Sequence, residues 1–191
     1  MKQLFLFIGI SLSLISCNKQ SELSKTFKCK TATLPDGIEV VDEYQNRFSI
    51  ELPKSWKTEL YNISNQSGII SADTTQLASN FYKLDVGIVN GNIDLSSNLH
   101  KQVEAIMKSN NLKTVQHTFL PYKTFDSYAH LAYGIQMNMP YYIFQYYIKL
   151  DNKKYLLIKS EFYGEDNIDN RFCESLALIN TLKLYDNNYF F

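Results

Sequence analysis

The three histidines are the side chains of this chain best suited to bind a metal ion or to move a proton. His117 and His130 lie at equal sequence distances from residues 123–124, where the pattern predicts a hairpin turn, so they are expected to face each other across two strands. Two facing imidazoles are the beginning of a metal site, but the sequence offers no third ligand at a metal-binding spacing. An ordinary cross-strand pair is the better interpretation, so both are only weak metal candidates, and no cofactor is predicted. His100 is predicted to lie at the rim of a helix.

No catalytic motif accompanies these histidines. The sequence contains no Gly-rich phosphate loop, no nucleophile elbow, no His-Glu-x-x-His and no Cys-x-x-Cys. The densest group of acidic residues, at 161–169, lacks the spacing of a calcium loop and fits a solvated loop with a helix cap. We therefore predict no catalytic residues and a protein that is not an enzyme, with an envelope hydrolase as the enzymatic alternative.

Cys29 and Cys173 allow two interpretations. In an exported protein they would form a disulfide that closes a long loop and ties the N-terminal segment to the last helix. In the alternative, Cys173 is a small buried apolar residue of that helix. Disulfides form in the oxidising compartments that exported proteins reach. The choice between the two interpretations therefore depends on whether the chain is exported, and the N-terminus bears on that question.

The N-terminus resembles that of bacterial lipoproteins. An apolar run at residues 4–15 follows a short positive start and is too short for a transmembrane helix, which needs about twenty residues. Residues 14–17, Leu-Ile-Ser-Cys, resemble the lipobox, whose cysteine is acylated and becomes the first residue of the mature chain. The resemblance implies a signal peptide at residues 1–16 and a lipid anchor at Cys17 in a cell envelope. An ordinary secreted protein cleaved near Cys17 is the alternative.

The residues after Cys17 suggest a location and a tether. The next residue is Asn18 rather than an acidic residue, which favours the outer membrane in the sorting code of many Gram-negative lipoproteins; a periplasmic and a surface-facing domain both stay open. Residues 17–33 contain four lysines and few large apolar side chains. Because so little apolar surface does not offset the entropy of ordering the chain, we predict a flexible tether over residues 17–33.

The composition indicates one globular domain and excludes a nucleic-acid-binding surface of the usual basic kind. Hydrophobic residues make up 45% of the chain and charged residues 20%, as in packed domains. Lys and Arg number 19, as do Asp and Glu, so the chain has no basic footprint for nucleic acid. The 14 tyrosines and 12 phenylalanines favour strands over helices.

Periodicity predicts an α+β domain over residues 34–186. Strands are predicted at 38–44, 47–52, 68–72, 82–89, 114–120, 127–137, 142–150 and 155–162. Helical spacing of apolar residues predicts helices at about 97–110 and 168–184. Short connections favour antiparallel pairing, so we expect one central sheet of about six to eight strands.

One segment of the predicted domain resembles a known family. Residues 48–56, Phe-Ser-Ile-Glu-Leu-Pro-Lys-Ser-Trp, are similar to the opening of the PsbP/Mog-type family, where a strand ends in Pro and a Trp follows. The resemblance implies an α/β/α sandwich around an antiparallel sheet, with structural roles for Pro53 and Trp56. Members serve as photosystem extrinsic subunits, small-GTPase binders or bacterial lipoproteins, so the resemblance implies binding or scaffolding rather than catalysis.

Tyrosines at the end of the domain form a candidate binding surface. Alternation places Tyr141 and Tyr147 on the sheet face opposite Tyr142 and Tyr146, and Tyr163 follows on the next strand. An exposed row of tyrosines offers a large contact area at a low entropic cost. Helices on both sides of the sheet would instead make these residues part of the core.

These observations predict a lipid-anchored envelope protein whose domain binds or scaffolds another protein. The alternative is a carrier or sensor of a small apolar or aromatic ligand, held in a pocket between the sheet and a helix.

Overall fold

The structure, a computed structural model, describes residues 20–30, 34–76 and 80–185. The predicted signal peptide and the predicted lipid anchor, Cys17, lie outside the described residues. Within these three ranges, no helix combines the length and the apolar character needed to cross a membrane.

Strands and helices of the described residues build two antiparallel sheets with three helices. The strands are β1 (Ile38–Asp42), β2 (Phe48–Pro53), β3 (Lys57–Ile63), β4 (Gln66–Ala72), β5 (Tyr82–Asn90), β6 (Leu112–Tyr122), β7 (Phe125–Gln136), β8 (Met139–Lys149), β9 (Lys154–Tyr163) and β10 (Lys183–Leu184). The helices are α1 (Glu22–Thr26), α2 (Ser97–Ser109) and α3 (Ile168–Asn180). The main sheet has seven strands in the order β3-β4-β5-β9-β8-β7-β6, and the small sheet has the order β1-β2-β10. The prediction of an α+β fold around a central antiparallel sheet is confirmed.

The main sheet separates two apolar cores, one on each face. On one face, which we call the α2-side face, Leu99, Val103 and Met107 of α2 pack on residues of β6, β7 and β8. On the other, the α3-side face, the alternate residues of β5, β8 and β9 pack on α1, α3 and the small sheet. Because strand side chains alternate between faces, one sheet serves both cores.

The predicted helices are present, but α3 is shorter than expected. Ser96 caps α2, since its Oγ accepts a hydrogen bond from the backbone N–H of Asn98 at 3.2 Å. The last helix was expected to reach residue 184 but ends at Asn180. Residues 183–184 instead pair with β2, because the buried Leu182 directs the chain back across the small sheet.

Pro53 and Trp56 have structural positions, as the resemblance implies. β2 ends at Pro53, whose carbonyl oxygen accepts a hydrogen bond from the N–H of Trp56 at 3.0 Å. The indole is buried, and its ring meets that of Tyr82 edge-on at a centroid distance of 4.7 Å. The turn thus anchors the end of β2 to the main sheet.

The N-terminal segment differs from the flexible tether predicted for residues 17–33. Over residues 20–30 it forms α1 and a following turn, and Leu23 and Phe27 are buried in the core of the α3-side face. The Phe27 ring lies 5.4 Å from that of Phe144 and 5.6 Å from that of Phe172. The prediction was wrong over these residues because two apolar side chains one helical turn apart are enough when a preformed core receives them.

Cys29 and Cys173, for which the sequence allowed two interpretations, are bonded in the structure. The two sulfur atoms are 2.00 Å apart and the Cα atoms 5.3 Å apart. The disulfide therefore ties the N-terminal segment to the second turn of α3.

Candidate binding face and cleft

The candidate residues on the strands come together on the α2-side face. Tyr141 pairs with Tyr163 across β8 and β9, and His117 pairs directly with His130 across β6 and β7. Paired residues of an antiparallel ladder share a face. One row of paired residues crosses the whole main sheet on this face, namely Glu59, Ile70, Asp85, Lys159, Gln145, His130 and His117.

The tyrosines are more buried than an exposed row requires. Tyr141 is only 4% exposed, and its hydroxyl donates to Glu161 Oε2 at 3.1 Å. Burial, reinforced by the Glu161 carboxylate, raises the pKa of Tyr141. Tyr147 and Tyr163 are half-buried, and burial raises the pKa of Tyr147 to about 12. Because α2 covers this part of the face, Tyr141 belongs to the core, and only Tyr147 and Tyr163 retain some access to solvent.

The histidines of the chain gather beneath and beside α2. The His100 ring stacks on that of His117 at a centroid distance of 3.7 Å, and His100 Nδ1 lies 2.9 Å from the Tyr128 hydroxyl. His130 is fully buried, with its Nε2 3.0 Å from Thr114 Oγ1. The two rings stack because α2 places His100 over β6, the edge strand that carries His117. Sequence spacing could not reveal this contact between a helix and a strand.

The surroundings of His130 and His117 favour neutral imidazoles. Burial is the largest of the causes that lower the pKa of His130 to about 4, and the neighbouring His100 and His117 contribute to the same shift. Burial also lowers the pKa of His117, with His100 contributing and Glu104 opposing. In the part of the chain that the structure describes, no three His, Cys, Asp or Glu side chains are grouped so that they could hold a metal ion.

The buried His130 predicts a specific loss of stability in acid. A histidine in the unfolded chain takes up its proton near pH 6.5, whereas folded His130 does so only near pH 4. The unfolded state therefore binds more protons between these values, and the stabilising contribution present above pH 6.5 is lost as the pH falls toward 4. We expect a loss of about 3 kcal/mol from this one group.

Urea unfolding of the wild type and of His130→Gln at pH 7 and pH 4.5 measures this contribution. Groups common to both proteins cancel, so the variant is expected to lose less stability on acidification than the wild type does. His117→Gln is the matched control, because His117 is far more exposed than His130 and its variant should retain most of the wild-type pH dependence. Equal pH dependence in the wild type and His130→Gln would contradict the prediction.

The α2-side face of β3, β4 and β5, with the adjoining residues of β9, carries polar and charged side chains; we call it the open half. Among the described residues, the apolar core under α2 includes residues of β6, β7 and β8 and, at the two ends of β9, Tyr155 and Tyr163, but none of β3, β4 or β5. Three ion pairs lie here, with N–O distances of 2.6 to 2.9 Å: Lys57–Glu59, Lys83–Glu161 and Lys159–Asp85. The open half is therefore an electrically balanced polar surface on the paired strands of the main sheet.

Tyr61 lies flat across this surface. Its hydroxyl donates to Asp85 Oδ1 at 2.8 Å and accepts from Gln66 Nε2 at 2.6 Å. Glycines occupy the two positions beneath it: a Cβ at Gly68 or Gly87 would lie 2.7 Å or 2.5 Å from the Tyr61 hydroxyl oxygen. These two glycines therefore make room for the tyrosine, which brings an aromatic ring to the middle of the open half.

A small cleft lies on the other side of the sheet, between β5 and the start of α3. It has a volume of about 190 Å³ and is lined by Trp56, Asp73, Gln76, Asn80, Tyr82, Asp166, Asn167, Arg171 and Glu174. The Arg171 guanidinium donates to the carbonyl oxygens of Tyr163 and Gly164, each at 3.0 Å. Burial, with the nearby Asp73, raises the pKa of Glu174. The lining thus mixes acidic and other polar groups with the aromatic rings of Trp56 and Tyr82, and it differs from the apolar pocket of the alternative function in its charged groups.

Sequence reasoning missed β3 and therefore missed Tyr61 and the Lys57–Glu59 pair. Within β3, Leu60 and Ile63 are both exposed although they would fall on opposite faces, so the strand lacks the alternation of a half-buried strand. As an edge strand of the main sheet, β3 needs no apolar stripe. The sequence signal for β3 is positional: only a short segment separates Trp56 from the turn before Gln66, and a strand that pairs with β4 fits there.

Comparison with known proteins gives matches only at the level of structure. Neither the protein-family models nor the curated proteins match this sequence. The solution structure of cyanobacterial PsbP (CyanoP) from Synechocystis sp. PCC 6803 superposes with a TM-score of 0.56 at 9% identity, covering 78% of this chain and 93% of that chain. The Ran-binding protein Mog1p of Saccharomyces cerevisiae gives a TM-score of 0.53 at 10% identity, covering 81% and 96%.

This chain has a PsbP/Mog1 fold. The similarity extends over nearly the whole of both relatives, so it includes the main sheet rather than a single motif. Identities of 9% and 10% show the fold alone, because one fold supports many functions. Within this PsbP/Mog1 fold, the segment at residues 48–56 that carried the sequence resemblance forms β2 and the turn to Trp56.

Proposed function

We propose that this chain is a lipid-anchored protein of a bacterial cell envelope whose PsbP/Mog1-fold domain binds another protein and catalyses no reaction. The anchor is Cys17, acylated after removal of residues 1–16, and Asn18 favours the outer membrane. The proposal joins the lipobox-like N-terminus to the surface of the domain.

The open half is the observation that carries the binding function. It combines three ion pairs with Tyr61, whose hydroxyl is held by Asp85 and Gln66, so a partner would meet side chains that are already positioned, at a low entropic cost. Interfaces use tyrosine and complementary charges for contact area and specificity. The Ran-binding protein Mog1p has the same fold, which supports protein binding as a use of it.

Site-specific photocrosslinking in cells tests this function. A benzophenone amino acid at position 59, in the open half, is expected to capture one reproducible envelope protein, whereas the same residue at position 39, exposed on β1, should capture it at less than about a tenth of that yield. Cys17→Ala is expected to move the protein out of the membrane fraction and to reduce the capture. If position 59 gives no discrete adduct in cells that hold normal amounts of the membrane-bound protein, the proposal that the open half binds a partner is wrong.

The cleft favours a second candidate function, the carriage of a small ligand between the sheet and α3. Asn80 Oδ1 and Arg171 Nε are buried there and have no hydrogen-bond partner in the described ranges. A ligand that satisfies them must carry a group that donates to Asn80 Oδ1 and one that accepts from Arg171 Nε, so a purely apolar ligand does not fit. Native mass spectrometry should show a bound mass that Glu174→Gln removes and Glu165→Gln, outside the cleft, retains; a protein free of added mass in both contradicts carriage.

A further inference from the structure

We propose that residues 20–30 are a membrane-contact surface that holds the domain directly against anionic lipid headgroups. This inference rests on the proposed anchor at Cys17 and adds to it which side of the domain faces the bilayer. It follows from how firmly the segment is attached to the domain, how few residues separate it from the anchor, and what charge it carries.

The segment is attached to the body of the domain along its whole length. Asn180 Nδ2 at the end of α3 donates to Ser24 Oγ at 3.1 Å, and Gln116 Nε2 on β6 donates to the carbonyl oxygen of Thr26 at 3.0 Å. The Cys29 disulfide holds the end of the segment to α3. The segment cannot therefore act as a spacer, and the position of its first residue is fixed relative to the domain.

The connection from the anchor to this fixed segment is short. Three peptide units join Cys17 to Gln20, so their Cα atoms are at most about 11 Å apart. The headgroup layer on each side of a bilayer is roughly 5 to 8 Å thick. An acylated Cys17 lies at the boundary of the hydrocarbon, so Gln20 and α1 are kept within or just above the headgroup layer.

The surface that this geometry brings to the bilayer is positively charged. Residues 20–30 contain Lys25, Lys28 and Lys30 against one acidic residue, Glu22, although the whole chain has a formal net charge of +0. Lys25 pairs with Glu22 at 2.8 Å, while Lys28 and Lys30 are exposed. Basic residues next to a lipid anchor are attracted by anionic headgroups, and such a second signal strengthens membrane binding.

The inference also sets the orientation of the candidate binding face. α1 packs on the α3-side face of the main sheet, through Leu23 and Phe27. The open half lies on the opposite face, so contact through residues 20–30 leaves it directed away from the lipid and available to a partner.

Lysine acylation of the full-length lipidated protein tests this contact. The protein is reconstituted in vesicles of phosphatidylethanolamine with one quarter phosphatidylglycerol, treated with a water-soluble acetylating ester, and analysed by mass spectrometry. Relative to detergent micelles, the reactivity of Lys28 and Lys30 is expected to fall about five-fold. Lys101 and Lys108, exposed on α2 across the sheet, are the internal control and should change little.

Two further measurements separate the failure of this inference from the failure of the anchor. Vesicle flotation reports the anchor: a protein that floats while Lys28 and Lys30 react as fast as in micelles overturns the contact surface and leaves the anchor standing. A protein that does not float overturns both. Insertion of about fifteen Gly and Ser residues after Asn18 lengthens the connection between the anchor and the domain without changing the domain itself. If Lys28 and Lys30 are as protected from acylation in this variant as in the wild type, the role of the short connection is overturned.

Discussion

Replacing Cys29 and Cys173 by serine is expected to lower the free energy of unfolding by about 5 kcal/mol, the largest single effect that we predict for this chain. The bridge joins residues 144 apart in sequence, and cross-linking so long a loop removes much of the conformational entropy of the unfolded state. A loss of this size corresponds to a fall in melting temperature of roughly 10 to 20 °C for a domain of this length.

Urea unfolding under oxidising conditions compares the double variant with the wild type. The wild type treated with a phosphine reductant should match the double variant, and each single variant, Cys29→Ser or Cys173→Ser, should do the same. Loss of the bridge should also release residues 20–30, which would appear as faster hydrogen exchange of α1 before global unfolding. Wild type and double variant that unfold at the same urea concentration would show that the bridge does not form or does not stabilise the domain.

Glu43→Ala is expected to destabilise the fold by about 3 to 5 kcal/mol. The Glu43 side chain is completely buried at the turn between β1 and β2. Arg47 Nη2 donates to its Oε1 at 2.9 Å, the backbone N–H of Gln45 donates to its Oε2 at 2.9 Å, and Ser67 on β4 also donates to it. The carboxylate thus closes its own turn and joins the small sheet to the main sheet.

The magnitude follows from the burial of both charges. Arg47 is only 10% exposed, so removal of Glu43 leaves a guanidinium without an anionic partner in a poorly hydrated place. The double variant Glu43→Leu/Arg47→Met is expected to recover much of the loss, because it leaves no buried charge unpaired. Denaturant titration of the single and double variants measures the coupling between the two residues.

An exposed ion pair on the same domain provides the control for Glu43. Lys57 and Glu59 are 2.7 Å apart, with side chains 69% and 61% exposed. Water solvates both charges, so Glu59→Ala should change the free energy of unfolding far less than Glu43→Ala does. Equal losses in Glu59→Ala and Glu43→Ala would mean that burial does not determine the contribution of these pairs.

The two apolar cores explain why the candidate sites lie where they do. α2 covers one end of the α2-side face, and α1, α3 and the small sheet cover most of the other face. Over the described ranges, two surfaces with polar side chains are therefore candidates for function, the open half beside α2 and the cleft beside α3. Variants at position 59 and at Glu174 affect these places separately, which lets the two proposed functions be tested in one protein.

Local sequence determined most of the elements of this protein. Alternation in β8 correctly separated Tyr142 and Tyr146 from Tyr141 and Tyr147, because side-chain direction along a strand depends only on the period of two. Helical spacing and a serine cap placed α2 within a residue of its observed bounds. The equal spacing of His117 and His130 about a short turn predicted their pairing, because hairpin register follows from the position of the turn.

Only the tertiary structure decided which of these surfaces are covered and what meets across the layers. α1 and β10 are too short to form by themselves, and the core and the partner strand that stabilise them come from distant parts of the chain. The same holds for the stacking of His100 on His117, the burial of Tyr141 by α2 and the burial of Glu43 against β4. Periodicity reports the face on which a side chain lies, whereas its exposure, its pKa and its partners depend on the element that packs against that face.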